Sequence, residues 1–415
     1  MKLGYGHTRV AAYAGIFTQS IYLGLIPVLF AAFKNEFGLS YEQLGRIPLI
    51  NFSLQIILDI IMVKLGDKIK LRTLAVVSNA LGIIGLILLS VLPRLMSGAP
   101  YAALMISTVF LAIGCGLIDL AINPVINALP SGKNRAELPL LHSFFCFGCV
   151  FTFLTATLFV HFAGTDRWYL LPLFMAFLPF FDLIAFIFVP IIEKDRKSKG
   201  ETVKKKFFSF PFIILMLMMI CAGSSEQAVS SWISLFAELG LSMPKLVGDI
   251  VGLCGFSACM AAGRMLFGLF GGRLNMKKAL FVSALCCAIS YLGITLSPSN
   301  TVSLVFCAVT GFSVAIMWPG VLSIASDEVS SDSVPMFSML AVCGDVGCSA
   351  GPWLIGIVSD AVDNGSVASP LTYTGSEVAT RTGILAAVFF PVLMTVLGIL
   401  LLRKNKNIHK GEKQP

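Results

Sequence analysis

Glu193-Lys-Asp-Arg-Lys-Ser-Lys-Gly-Glu-Thr-Val-Lys-Lys-Lys206 is the most densely charged stretch of the 415-residue chain, and its position decides the fold. Six long apolar runs precede it, at 8–33, 43–65, 73–95, 100–128, 139–162 and 168–192. Six follow it, at 209–237, 246–271, 278–296, 301–326, 334–360 and 381–403. A helix of about 20 apolar residues crosses the hydrocarbon core of a bilayer. The runs are continuous rather than alternating, so they predict helices and not an outer-membrane barrel. The expected organisation is an N-terminal six-helix bundle (1–192), a cytoplasmic basic linker (193–208), a C-terminal six-helix bundle (209–403) and a cytoplasmic tail (404–415). The first run lacks a small-residue cleavage site and is read as a retained span rather than a signal peptide.

Composition excludes the soluble classes. Apolar residues make up 57% and charged ones 13%, with a mean hydropathy of +0.88. Soluble domains run near 45–50% apolar and about 25% charged. A soluble enzyme, a nucleic-acid binder and a disordered chain are therefore ruled out. The net charge of +8 is a topology signal. If the N-terminus is cytoplasmic, 23 Lys and Arg fall on the cytoplasmic side and six on the other, with Arg264 inside a span. The positive-inside rule then puts both termini in the cytoplasm. The short loops suit a bacterial inner membrane, where the Asn364-Gly-Ser366 sequon has no use.

All eleven cysteines fall in spans, so no external disulfide framework is expected. Cys146 and Cys149 have CxxC spacing without a second pair at that depth, which favours packing over metal. No loop is long enough for a catalytic domain, so neither an enzyme nor a cofactor is expected. The expected partners are a small-molecule substrate, protons and lipid, with the chain acting as a monomer.

An internal repeat relates the halves. Gly66-Asp67-Lys68 with Lys70 and Arg72 follows the second span, and Gly271-Gly272-Arg273 with Lys277 and Lys278 follows the eighth, 205 residues later. Gly116 precedes Pro124 by eight residues in the fourth span, as Gly311 precedes Pro319 in the tenth. Such matches argue for parallel six-helix repeats. The loop after span two resembles the Gly-x-x-x-Asp-Arg-x-Gly-Arg-Arg signature of the major facilitator superfamily. This copy keeps Gly66-Asp67-Lys68 and Arg72 but loses the second Gly. The second copy keeps Gly263-Arg264 and Gly268 and has Gly272 where an acid is usual. The resemblance implies two pseudo-symmetric six-helix bundles, alternating access, and a gate-locking role for Asp67.

A finer likeness is to the fucose–galactose–gluconate proton symporters and related sugar-type carriers. It rests on Asp119-Leu-Ala-Ile-Asn123-Pro124, on Leu141-His142-Ser143-Phe144-Phe145-Cys-Phe-Gly148, and on Ser225-Glu226-Gln227-Ala-Val-Ser-Ser231-Trp232. Ile316-Met-Trp318-Pro319 and Gly344-Asp345-Val-Gly347-Cys-Ser-Ala-Gly351-Pro352 add to it. The acid that this family carries in its first helix is replaced here, near Leu23.

An ionisable side chain inside a bilayer is costly and wants an explanation. Those inside the spans are Asp59, Asp119, His142, Asp182, Glu226, Arg264 and Asp345. Asp119, Asn123 and Asn127 stand at i, i+4 and i+8, so they stack on one helix face. The resemblance puts helices one, four, seven and ten on the central cavity, which makes Asp119 and Glu226 the expected proton-coupling acids. The alternative for the stripe is an interhelical polar seam beside the Pro124 kink. Gln19, Asn123, Asn127, His142 and Gln227 are the expected polar substrate contacts. Trp232 and Trp318 are a candidate stacking floor for a sugar ring, or else plain packing. By helix rise, His142 lies about 10 Å from Asp119 along the membrane normal, which argues against a direct pair. Asn51, Gln55 and Asp59 form a second i, i+4, i+8 stripe. Asp59, Asp67 and Arg264 are expected to be gating, salt-bridged residues, with Asp345 neutralising Arg264 or serving the proton path. Asp182 is expected to be structural.

The expected function is secondary active transport of a small polar, sugar-like solute by proton symport. Inward of Arg9 at the cytoplasmic start of the first, the cavity-lining spans carry Asp119 and Glu226 but no Lys or Arg, which points to a neutral solute. The alternative is a proton-driven multidrug or metabolite exporter of the same superfamily. The polar set Gln19, Asn51, Gln55, Asn123 and Gln227 weighs against it.

Overall fold

The computed structural model describes residues 3–65, 69–130, 134–192, 210–270, 275–329 and 334–411. Twelve helices among them are long and apolar enough to cross a membrane. Span 1 is Tyr5–Val28, span 2 Tyr41–Met62, span 3 Leu71–Leu95, span 4 Pro100–Ala128, span 5 Ser143–Ala163 and span 6 Leu170–Phe188. Span 7 is Phe210–Gly240, span 8 Lys245–Phe270, span 9 Met276–Leu296, span 10 Asn300–Ser326, span 11 Ser338–Asp363 and span 12 Gly375–Leu402. No strand occurs among the described residues. The basic linker and Asp67 lie outside them.

The packing obeys the repeat. Span 1 packs on spans 4 and 5 as span 7 packs on spans 10 and 11. Span 2 packs on span 4 as span 8 does on span 10, and the 3–6 and 9–12 pairs correspond likewise. Spans 2 and 11 meet across the bundles, and so do spans 5 and 8, which exchange under the pseudo-twofold.

Spans 3, 6, 9 and 12 turn outward. Ile84, Ile87 and Val91, then Phe177, Phe181 and Phe188, then Val282, Leu285 and Ile289, then Val392, Val396 and Leu400 are all exposed. Apolar side chains standing outward along a helix suit lipid rather than water. Arg72 of the signature run donates from Nη1 to the Phe186 carbonyl and from Nη2 to that of Val189, each at 2.8 Å. It thereby holds the otherwise unpaired carbonyls at the end of span 6.

Small residues permit the closest crossings. A Cβ on Gly347 would come within 2.1 Å of the Ile220 carbonyl oxygen, inside the second bundle. A Cβ on Gly356 would come within 2.6 Å of the Tyr41 carbonyl oxygen, between the bundles. Small residues at transmembrane crossings allow backbones to approach this way. All eleven cysteines are free thiols, and only Cys286 is exposed.

Candidate substrate cavity and distal closure

An even number of spans leaves both chain ends at one face of the molecule, called here the terminal face; the other is distal. Span 1 stops at Val28, and a short helix, Phe30–Phe37, continues it beyond the break. The break follows Pro27, which has no N–H to donate to the helix. Inward of the break, a narrow cleft opens between the bundles. Spans 1 and 5 form its apolar wall with Leu23, Gly24, Pro27, Phe145, Cys149 and Phe153. Phe145, Cys149 and Phe153 recur every four residues and so share one helix face. Gly24 makes room for Phe153, whose ring would lie 2.7 Å from a Cβ there.

The opposite wall is polar. Span 7 supplies Glu226, Gln227, Ser230 and Ser231, and span 8 supplies Ser257 beside Phe256 and Met260. Ser257, Met260 and Arg264 stand at i, i+3 and i+7, on one face of span 8. Arg264 Nη2 approaches the Glu226 carboxylate oxygens at 3.3 and 3.5 Å, and Nη1 donates to Cys146 Sγ of span 5 at 3.4 Å. No Lys or Arg lines the cleft itself, but Arg264 of span 8 stands behind it, on the Glu226 carboxylate. Its partner is different from the expected Asp59 or Asp345. Span 8 packs on spans 5, 7 and 10, while those acids stand on spans 2 and 11.

Asp59, Asp119 and Asp345, all half-buried, come instead into one another's electrostatic reach: Asp59 with Asp119, and Asp345 with both. None of them forms a salt bridge among the described residues. Asn123 donates from Nδ2 to Asp119 Oδ1 at 3.2 Å, while its own Oδ1 is buried without a partner. Gln19 reaches the Cys115 thiol, which itself neighbours Asp119 and Asp345. Asn127 is exposed near the terminal face. Gln55 donates to Asn51 at 2.6 Å. Of the expected substrate contacts only Gln227 lines the cleft; the His142 side chain lies outside the described part of the structure. Trp318 is half-buried over Gly344, whose Cβ would strike its ring at 2.1 Å. Asp182 is buried in the first bundle, where Asn79 donates to it at 2.9 Å.

Trp232 does not floor the cleft. It is 1% exposed, donates from Nε1 to the Pro352 carbonyl at 3.0 Å, and packs on the rings of Phe30 and Tyr41. It belongs to a closure of the distal end that sequence reading missed. There Lys245 Nζ bonds the Val28 carbonyl at 2.8 Å and Ser234 Oγ at 2.7 Å, and pairs with Asp249 at 3.0 Å. Thr157 of span 5 donates to the same Asp249 oxygen at 2.7 Å. The Tyr41 amide donates to Asp360 Oδ1 at 3.0 Å, and Trp353 Nε1 to Glu42 at 3.2 Å. Only Lys245-x-x-x-Asp249, an i, i+4 pair of opposite charge, was a signal in the sequence. The bonds of Lys245 to Val28, Thr157 to Asp249, Tyr41 to Asp360 and Trp353 to Glu42 each join residues of different halves.

This arrangement has known relatives in shape. A bacterial homologue of the human lysosomal transporter Spinster, in an inward-facing and occupied conformation, superposes with a TM-score of 0.75 at 16% identity, covering 96% of this chain and 97% of that one. The nucleoside transporter NupG gives 0.73 at 12% identity, covering 94% and 99%. The Escherichia coli fucose:proton symporter FucP gives 0.63 at 16% identity, covering 95% and 98%. No curated protein matches in sequence. Residues 12–352 match the Major Facilitator Superfamily as a sequence family, and the chain belongs to that superfamily: a multi-pass membrane transporter, not an enzyme.

Proposed function

We propose that the chain moves a small polar, sugar-like solute by proton-coupled symport with alternating access. The observation that carries this reading is the meeting of Asp59, Asp119 and Asp345, from both bundles, without a cation beside them among the described residues. Three carboxylates in that position repel one another, and a proton taken up among them relieves the repulsion. Because Asp345 belongs to one bundle and Asp59 and Asp119 to the other, the relief depends on how the bundles stand. Proton occupancy and conformation are then linked. Asp119 is the central acid, and Glu226, held by Arg264, is the next candidate. The serines of the cleft and Gln227 offer hydroxyl and amide partners opposite an aromatic wall. The likeness in fold to a fucose:proton symporter accords with this.

With both termini in the cytoplasm of a bacterial inner membrane, the closed distal end faces outward. The monomer suffices, since both walls of the cleft come from one chain. The test is uptake of labelled sugars into proteoliposomes under an imposed proton gradient. Symport predicts uphill accumulation that a protonophore abolishes and that Asp119→Asn loses while keeping counterflow. Export of lipophilic cations, with no response to sugars, overturns it in favour of the multidrug exporter.

A further inference from the structure

The hairpin joining spans 7 and 8 at the distal end carries three charges that the transport reading does not use. Both of its arms contain wide π turns, Phe236–Gly240 and Gly248–Cys254, a backbone form that recurs at functional sites. Glu238 stands in the first, Asp249 in the second, and Lys245 between them. Lys245 Nζ is 3.0 Å from Asp249 Oδ2 and 3.7 Å from Glu238 Oε2. Two carboxylates thus share one ammonium, which leaves one negative charge in excess. They are held unequally. Asp249, whose side chain is 0% exposed, takes both Lys245 and the Thr157 hydroxyl on Oδ2. Its Oδ1 is buried without a hydrogen-bond partner, and so is Glu238 Oε2. An ionised carboxylate only accepts hydrogen bonds, so neither orphan can satisfy the other while both acids are charged.

We propose that the distal closure binds one proton from the medium it faces, carried by Glu238 and shared with Asp249. A protonated Glu238 donates to the orphaned oxygen of Asp249, so one proton pairs both acids and brings the three groups to zero net charge. Asp249 is sealed, whereas the Glu238 side chain is 22% exposed and exchanges with the medium. Opening the distal end admits water to both acids, and the excess charge no longer needs the proton. Closure and protonation are therefore linked: acid shuts the distal end and alkali loosens it. This proton site is separate from Asp59, Asp119 and Asp345, and it works whatever the solute. The other charges on elements packed against these turns have partners of their own or face solvent. Glu377 and Arg381 of span 12 pair at 2.9 Å, and Arg264 of span 8 serves Glu226. Glu36 accepts from Trp168, Lys34 lies over the Tyr41 ring, and His161 is exposed at the end of span 5. The thiols beside the turns, Cys254 and Cys307, carry no charge near neutral pH.

The test is the distance between spin labels at the exposed Asn35 and Asn364, on either side of the distal end, in the full chain in nanodiscs. Between about pH 8 and about pH 5 the open population should fall about threefold or more. Glu238→Gln imitates the protonated acid and should be shut at both. Asp249→Asn leaves Lys245 to Glu238 alone, so protonation now strands the ammonium and the response should reverse, with acid opening the end. A merely structural role for either acid predicts neither the flat profile nor the reversal. Asp119→Asn should keep the wild-type response. A wild-type distance distribution that ignores pH or opens in acid overturns the proposal. So does a wild-type response in Glu238→Gln, a response in folded Asp249→Asn that fails to reverse, or one that is lost in Asp119→Asn, which would put the proton at the central acids instead.

Discussion

The Lys245 ammonium donates to the carbonyl oxygen of Val28 at 2.8 Å, tying the start of span 8 to the end of span 1 across the two bundles. The same nitrogen neutralises Asp249, which is fully buried and is also held by Thr157 of the opposite bundle. The Lys245–Val28 bond and the Thr157–Asp249 bond both cross the bundles at the shut distal end.

Removing Lys245 should open that end. Lys245→Met strands the buried Asp249 carboxylate, and breaking a buried pair in this way costs about 3–5 kcal/mol. Spin labels at the exposed Asn35 and Asn364 should move apart in the variant, and Lys245→Met with Asp249→Asn should bring them back. An unchanged distance distribution in Lys245→Met would show that Lys245 does not hold the closure.

Two glycines separate folding from closing. Gly356→Val drives a side chain into the Tyr41 carbonyl across the bundles, so the variant should fold and bind solute but fail to shut distally. Gly347→Val drives into the Ile220 carbonyl within one bundle and should lower expression and melting temperature. Size-exclusion profiles and transport rates compare the two directly.

Trp232→Phe tests the aromatic floor against the plug. The substitution removes the bond to Pro352 within the second bundle, worth about 1 kcal/mol, and thins the ring's contact with Phe30 and Tyr41 across the bundles. Solute affinity should stay within about twofold while the distal end opens more often. A large loss of affinity with unchanged opening would return Trp232 to the binding site.

Asp59→Asn and Asp345→Asn divide the acid cluster. Each removes one charge from the group around Asp119, so each should shift the pH at which uptake is half-maximal without abolishing it. Asp119→Asn should abolish gradient-driven uptake altogether. Equal loss in all three would mean that no one acid is central.

The spans were legible because the bilayer imposes one strong rule, about 20 apolar residues per crossing. The reading of 100–128 coincides with span 4, Pro100–Ala128, and most other edges fall within a few residues. The halves were legible from Gly116 and Gly311, whose spacing to Pro124 and Pro319 survives as local backbone need. The partner of Arg264 was not. Charge and depth pointed to Asp59 and Asp345, and only the packing of span 8 on span 7 brings Glu226 to it instead. Trp232 misled for a related reason. A tryptophan near a cavity acid satisfies the chemistry of a sugar platform, but Phe30, Tyr41 and Pro352, remote in sequence, enclose it.

The free thiols give the molecule a built-in chemical clock. Cys149 lies in the wall of the cleft, and Cys146 one turn away touches Arg264. A charged, membrane-impermeant maleimide can reach them only through an open face, so the rate of native modification measures how often each face opens. Solute bound in the cleft should slow that reaction. Inside-out and right-side-out vesicles would give the two opening rates separately, with no cysteine engineered and none removed.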